Sequence, residues 1–309
     1  NPSHYQYWHP TGTCGTFGAA AAAGKLLRLD AEKMTNALGI AGTQAAGLIE
    51  VFGTMSKPLN AGRAALSGVV AALLAQRGFT SSSEVLEAKR GYCRATSRES
   101  DLDEIAENLG DRFEIVNNIF KRHASCGHTH GAIDAMLDLA RKYDVKPQSV
   151  DEIIVETYPN AVKIVGKNPE PRTSSEGKFS LPYCLATALM YGKVGLAEFS
   201  EEKLVDPKIL ELSRKVKVKA DKKFVNAQLG PASVTIRTVE GRKFFRHVDV
   251  PKGYPKNPLT KAELEEKFRC LASLVLPSRQ IEKIITTLKN LDKLDNVRLL
   301  ATLLQRKWK

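Results

Sequence analysis

The hydrophobic periodicity of the chain changes twice, and that order limits the folds open to it more than any single motif does. Residues 14 to 122 read as helices. The alanine-rich run Gly18 to Leu29 forms one, Asp30 caps a second through about Ala46, and Asn60 caps a third over Ala61 to Arg77 that ends at Gly78. Ser83 caps a shorter helix over Glu84 to Lys89, and Asp101 starts another that stops near Gly110. From about residue 123 the texture differs. His130 to Tyr143 and Leu181 to Tyr191 keep a helical pattern, whereas Glu152 to Tyr158, Lys215 to Ala220, Ser233 to Val239 and Lys243 to Val250 read as strands. The last two form a hairpin around Glu240-Gly241-Arg242. Thr260 with Glu263 is a capping box for a helix through about Leu274, and Gln280 to Leu291 and Asn296 to Gln305 are two more. Helical, then α+β, then helical again predicts a mainly α protein with an inserted α+β domain: a helical domain over 1–122, an α+β domain over 123–258, and a return to the helical domain over 259–309.

Composition removes several alternatives. With 309 residues, 43% hydrophobic and 26% charged, the chain is long enough for a large core and is not disordered. Its most apolar stretch, Gly18 to Leu29, is interrupted by Gly24, Lys25 and Arg28 and falls short of the roughly 20 apolar residues that span a bilayer, so no membrane association is expected. Five cysteines without CxxC pairing point to a reducing, cytoplasmic setting. The formal charge of +12 belongs to residues 201–309, which carry 25 basic and 13 acidic side chains; residues 1–200 carry 21 of each. That surplus suits solubility or attraction of anions, but no base-reading or stacking motif accompanies it, so nucleic acid is not an expected partner.

Four clusters bear chemistry. Gly12-Thr-Cys-Gly15-Thr-Phe-Gly18 leads to Gly24-Lys25-Leu26, where the spacing and the missing Ser or Thr after the lysine reject a phosphate-binding P-loop. Thr11 and Thr13 with the backbone N–H groups of a helix start can still hold a carboxylate. In Lys121-Arg-His-Ala-Ser-Cys126-Gly-His128-Thr-His130, the alternating Cys126, His128 and His130 fit a zinc site on an extended segment, a cationic pocket before a helix, or a solvated basic turn. Lys57 lies in a short loop before a capped helix, and Tyr183 opens an apolar helix where its hydroxyl needs a partner. His9, Lys57, Lys121 and Tyr183 share donor chemistry suited to carboxylates and to moving a proton at the adjoining carbon.

Taken in order, Trp8-His9-Pro10-Thr-Gly-Thr-Cys-Gly-Thr, Met55-Ser-Lys57-Pro-Leu-Asn-Ala-Gly62-Arg63, Phe120-Lys121-Arg-His, Cys126-Gly-His-Thr-His130-Gly-Ala-Ile-Asp134 and Phe179-Ser-Leu-Pro-Tyr183 resemble the MmgE/PrpD family. Its members include 2-methylcitrate dehydratase, cis-aconitate decarboxylase and iminodisuccinate epimerase. The resemblance implies an all-helical domain plus an α+β lid, a homodimer, and no metal or other cofactor. It carries catalysis and carboxylate binding onto His9, Lys57, Lys121 and Tyr183, puts His130 in the same cleft, and adds Arg63, His128 and Thr11 as further substrate-binding candidates. The implied activity is that of a hydro-lyase on a small di- or tricarboxylate, foremost 2-methylcitrate dehydration. The alternatives are cis-aconitate decarboxylation, iminodisuccinate epimerisation, or a catalytically incomplete binding or assembly subunit. Family members also carry a helical segment upstream of the His-Pro motif, so the resemblance leads to one of two expectations: a truncated gene product, or a separate chain that supplies that segment.

Overall fold

Proline in a first turn and side chains that cap decide where the helices of this protein begin. The computed structural model describes residues 2–225, 227 and 230–305. They divide into two compact units, Asn1–Phe113 and Glu114–Lys309.

Three long helices make the first unit: α1 (Pro10–Leu26), α2 (Ala31–Gln44) and α3 (Ser56–Gln76). Pro10 takes the first helical position, where its missing N–H costs nothing, and the glycine-rich stretch from Gly12 to Gly18 is the first half of α1. Asp30 caps α2 as expected, accepting from the Lys33 N–H at 2.8 Å. Helix α3 starts a turn earlier than expected, so Asn60 is inside it and is not its cap. Gly78, at φ +87°, ends it. The core is built from small residues: Ala20, Ala37, Ile40, Ala41, Ala71 and Ala75, with Phe17, Leu29 and Leu74 around them. Backbones therefore come close. A Cβ on Gly68 of α3 would stand 2.6 Å from both the Thr16 carbonyl oxygen and the Ala20 nitrogen of α1. By length and composition α3 is apolar enough to cross a bilayer, against the expectation that no segment is; its buried Ala64, Gly68, Ala71, Ala72 and Ala75 pack on neighbouring helices. Residues 84–89 and 101–110 form turns and one short 3-10 segment, Asp103–Ile105, where helices were expected. Leu102, Ile105 and Leu109 are exposed there, and a short helix without a face to bury does not persist.

The second unit holds a mixed sheet in the order β2-β1-β3-β4, with β1 (Val150–Thr157), β2 (Val216–Ala220), β3 (Ala232–Thr238) and β4 (Lys243–Val248). Strand β1 is central, parallel to β2 and antiparallel to β3. The β3–β4 hairpin forms as expected, turning through Gly241 at φ +80°. Helices α4 (His130–Tyr143) and α5 (Leu181–Tyr191) bury Ile133, Met136, Leu181 and Leu185 with Ile153, Val155, Val234 and Ile236 of the sheet. Helix α6 (Pro207–Arg214) precedes β2, and α7 (Lys261–Ala272), α8 (Ser278–Lys289) and α9 (Arg298–Leu303) close the chain. The capping box of Thr260 and Glu263 is present. Residues 259–309 were expected to return to the helical domain; they group with the second unit.

The α1–α3 contact generates a prediction. Gly68→Ala gains roughly 1 kcal/mol of helix propensity, yet the methyl group meets backbone that cannot yield, so the net loss is about 1–2 kcal/mol. Urea unfolding followed by far-UV circular dichroism checks it, with Gly62→Ala, which meets nothing within 4 Å, as the stabilised control.

Candidate active site

In the first unit the site is built on the start of α1. His9 occupies the N-cap position, and its backbone N–H donates to the Gly47 carbonyl at 2.8 Å. Gly47 holds φ +152°, and a Cβ there would lie 3.2 Å from the Asn60 side chain, so glycine lets the loop pass between His9 and α3. One turn into α3, the Asn60 amide nitrogen sits 3.1 Å from His9 Nδ1. An amide donor on Nδ1 leaves the ring proton of neutral His9 on Nε2. The edge of the ring rests on Phe52, with centroids 4.8 Å apart, and the Lys57 ammonium lies 4.8 Å from the same Phe52 ring. Partial burial and then the Lys57 charge hold the His9 pKa below its usual value. His9 and Lys57 thus both contact one phenyl ring. Thr11, in the first turn of α1, and Arg63, on α3, are exposed and take no part in this contact. Thr13, two residues further on, is buried, and its hydroxyl meets His4 Nε2 at 2.9 Å.

In the second unit the site is built on residues 121–134. A 3-10 turn, Gly127–Thr129, runs into α4, so Cys126, His128 and His130 do not alternate along an extended strand. The zinc reading fails on that geometry; among the described residues no group of three His, Cys, Asp or Glu side chains is placed so that it could hold a metal ion. Asp134, one helical turn after His130, is the hub. Its Oδ1 accepts from His123 Nε2 at 2.9 Å and from Arg122 Nη1 at 3.2 Å, and its Oδ2 accepts from the Lys252 backbone N–H at 2.8 Å. These bonds, those from His123 first, hold its carboxyl below the usual range although burial opposes them. The His123 ring stands edge-on to His130, with centroids 5.1 Å apart. His130 is 1% exposed, and neither ring nitrogen has a hydrogen-bond partner; the Ser125 backbone approaches without reaching bonding geometry. Burial first, then His123 and Lys121, push its pKa down to about 3. His128 accepts at Nδ1 from the Tyr158 hydroxyl at 2.6 Å, and burial and Lys121 lower its pKa too. Lys121 is exposed and makes no ion pair among the described residues.

Tyr183 is fully buried in the core of the second unit, and its hydroxyl donates to the Glu198 carbonyl at 2.9 Å. That bond ties α5 to the turn at Glu198. The structure therefore gathers His9 and Lys57 in one unit and Lys121, His128 and His130 in the other, and sets Thr11, Arg63 and Tyr183 apart. Sequence reasoning missed Gly47, Phe52, Asn60, His123, Asp134 and Tyr158 as members of these clusters. Only Asp134 carried a legible signal, four residues after His130 on the same face of one helix.

The MmgE/PrpD N-terminal domain matches residues 1–105, and the MmgE/PrpD C-terminal domain matches residues 123–293. The chain is 32% identical over 310 residues to cis-aconitate decarboxylase of Homo sapiens, covering 96% of this chain and 63% of that protein. It is 30% identical over 316 residues to cis-aconitate decarboxylase of Aspergillus terreus, covering 96% of this chain and 64% of that protein. With 2-methylcitrate dehydratase of Salmonella typhimurium it shares 22% identity over 169 residues, 51% of this chain and 35% of that protein. The chain thus spans somewhat under two thirds of the length of the decarboxylases it matches.

The buried histidines set the sign of the pH dependence. A histidine whose folded pKa lies below its unfolded value of about 6.5 binds fewer protons folded than unfolded, so stability falls as pH drops through that window. For His130, with a folded value of about 3, the loss between pH 7.5 and 5 is about 2 kcal/mol. Urea unfolding of the second unit at the two pH values should show that decline, reduced by a similar amount in His130→Phe. Greater stability at pH 5 would contradict the burial of neutral His130.

Proposed function

Because the chain belongs to the MmgE/PrpD family, we propose that it serves a lyase that decarboxylates cis-aconitate, or an unsaturated tricarboxylate of the same shape, by acid–base chemistry. The reach of the similarity carries this reading. Likeness to the decarboxylases runs through both units, whereas likeness to the 2-methylcitrate dehydratase covers about half of the chain. Decarboxylation therefore stands ahead of the dehydration that the motifs alone suggested.

The reaction sets two tasks. cis-Aconitate carries one carboxylate on the saturated carbon next to its double bond. As that carboxylate leaves as carbon dioxide, its bonding pair forms a new double bond, and the old π pair takes up a proton at the far alkene carbon. The product is an exo-methylene dicarboxylate. Cations must hold the two retained carboxylates, and an acid must deliver one proton. Lys57 is the cation of the first unit assigned to the first task, and Lys121 is a separate candidate for it in the second unit. His9 is assigned to the second. A lowered pKa makes its imidazolium a stronger acid than free histidine, and Asn60 serves either state, donating to the neutral ring and, with its amide turned over, accepting from the charged one. His130, buried and neutral, adds no charge to the cluster around Lys121.

The purified 309-residue protein, offered cis-aconitate, 2-methylcitrate and iminodisuccinate separately, should release carbon dioxide from the first and act on it faster than on the others. His9→Ala should lower kcat by about 100-fold or more, the usual worth of a positioned proton donor. Turnover should also rise as pH falls from 8 toward 6.5, as His9 gains its proton. Action on 2-methylcitrate alone, or a His9→Ala variant as fast as the parent, would sink this reading; binding without turnover of any of the three would favour a subunit that works with a partner.

A further inference from the structure

We propose that Asp134 is the positioning residue of the cationic segment 121–123: by engaging His123 and Arg122 it leaves Lys121 as the cation of that segment offered to a carboxylate ligand. The inference rests on the carboxylate-binding function proposed above. Three consecutive basic side chains would otherwise compete for the same anion. Asp134 separates them. Its Oδ1 takes the His123 Nε2 proton at 2.9 Å and an Arg122 N–H at 3.2 Å, and with both of its side chain's neighbours bound, the backbone at 122–123 is fixed against the first turns of α4. Its Oδ2, accepting from the Lys252 N–H at 2.8 Å, fixes the chain leaving the β3–β4 hairpin against the same helix. His123 is 4% exposed and Asp134 7% exposed, so the bond between them is shielded from water, whereas Arg122 is partly exposed and Lys121 is exposed. Because an ionised carboxylate only accepts, His123 is held as the Nε2–H tautomer. With Nε2 held at Asp134, the ring stands edge-on to His130, with centroids 5.1 Å apart.

The test uses the whole chain labelled with ¹⁵N-histidine. In the parent, the His123 signals should report a single Nε2–H tautomer, and in Asp134→Asn they should move toward a mixture, with far-UV circular dichroism unchanged. The dissociation constant for cis-aconitate, read by chemical-shift titration with every protein carrying His9→Ala so that the ligand is not consumed, should rise about tenfold in Asp134→Asn. His123→Gln keeps a donor to the carboxylate and should bind like the parent; His123→Phe should match Asp134→Asn, and combining the two should add nothing further. If Asp134→Asn does not fold, the His123→Gln and His123→Phe pair decides the question. An unaltered His123 tautomer in Asp134→Asn, or equal binding by His123→Phe and the parent, would overturn the proposal. A parent that binds no cis-aconitate while its His123 tautomer still depends on Asp134 would instead overturn the function proposed above and retain Asp134 as the anchor of the segment.

Discussion

The close backbone approach of α1 and α3 is the constraint on which the first unit depends. At Gly68 the carbonyl of Thr16 and the nitrogen of Ala20 occupy the space a side chain would need, and at Gly12 the loop at Ala46–Gly47 does the same. Small residues in both helices allow this, and a core of alanines leaves little room for adjustment. Everything placed at the start of α1 inherits its position from that contact. His9 meets Asn60 because α3 lies one glycine's thickness away, and Lys57 shares Phe52 with His9 because the loop before α3 is drawn up to it.

Much of this was legible in the sequence, and the parts that were not have physical reasons. Asp30, Gly78, the Thr260–Glu263 box and the Gly241 hairpin were readable because each satisfies backbone groups next to it in the chain. Asn60 has the chemistry of a cap, and sequence alone cannot show that its amide is used 51 positions away on His9. Tyr183 needed a hydroxyl partner, as any buried tyrosine does; that the partner is the Glu198 carbonyl depends on how α5 packs. The stretch from 101 to 110 has apolar residues at helical spacing, but spacing makes a helix only where a surface receives the apolar face. Alternation of Cys126, His128 and His130 predicted a shared direction only for extended backbone, and a 3-10 turn removed it.

The two clusters handle charge in contrasting ways. Asp134 is a buried carboxylate whose desolvation is offset by three donors, one of them a backbone amide that cannot lose its proton. His130 goes without any partner and stays neutral instead. The surplus of basic residues in 201–309 is elsewhere: Lys217 and Lys219 on β2 pair with Glu152 and Glu156 on β1, so part of it is spent across the parallel strands. Recognition of an anion rests on a few individually placed groups, and net charge is a poor guide to them.

The sheet order has a consequence in time. The three helices of the first unit pack on neighbours close by in sequence, whereas β1, which ends at Thr157, gains its parallel partner only at Val216 and its antiparallel one only at Ala232. Closing loops of that length before any ladder bond forms is slow, so topology makes the second unit the later of the two to fold. As the chain emerges from the ribosome, the most apolar strand it encodes waits with both edges open while the three helices of the first unit already have one another to pack on, and that interval is when a chaperone would have the most to hold.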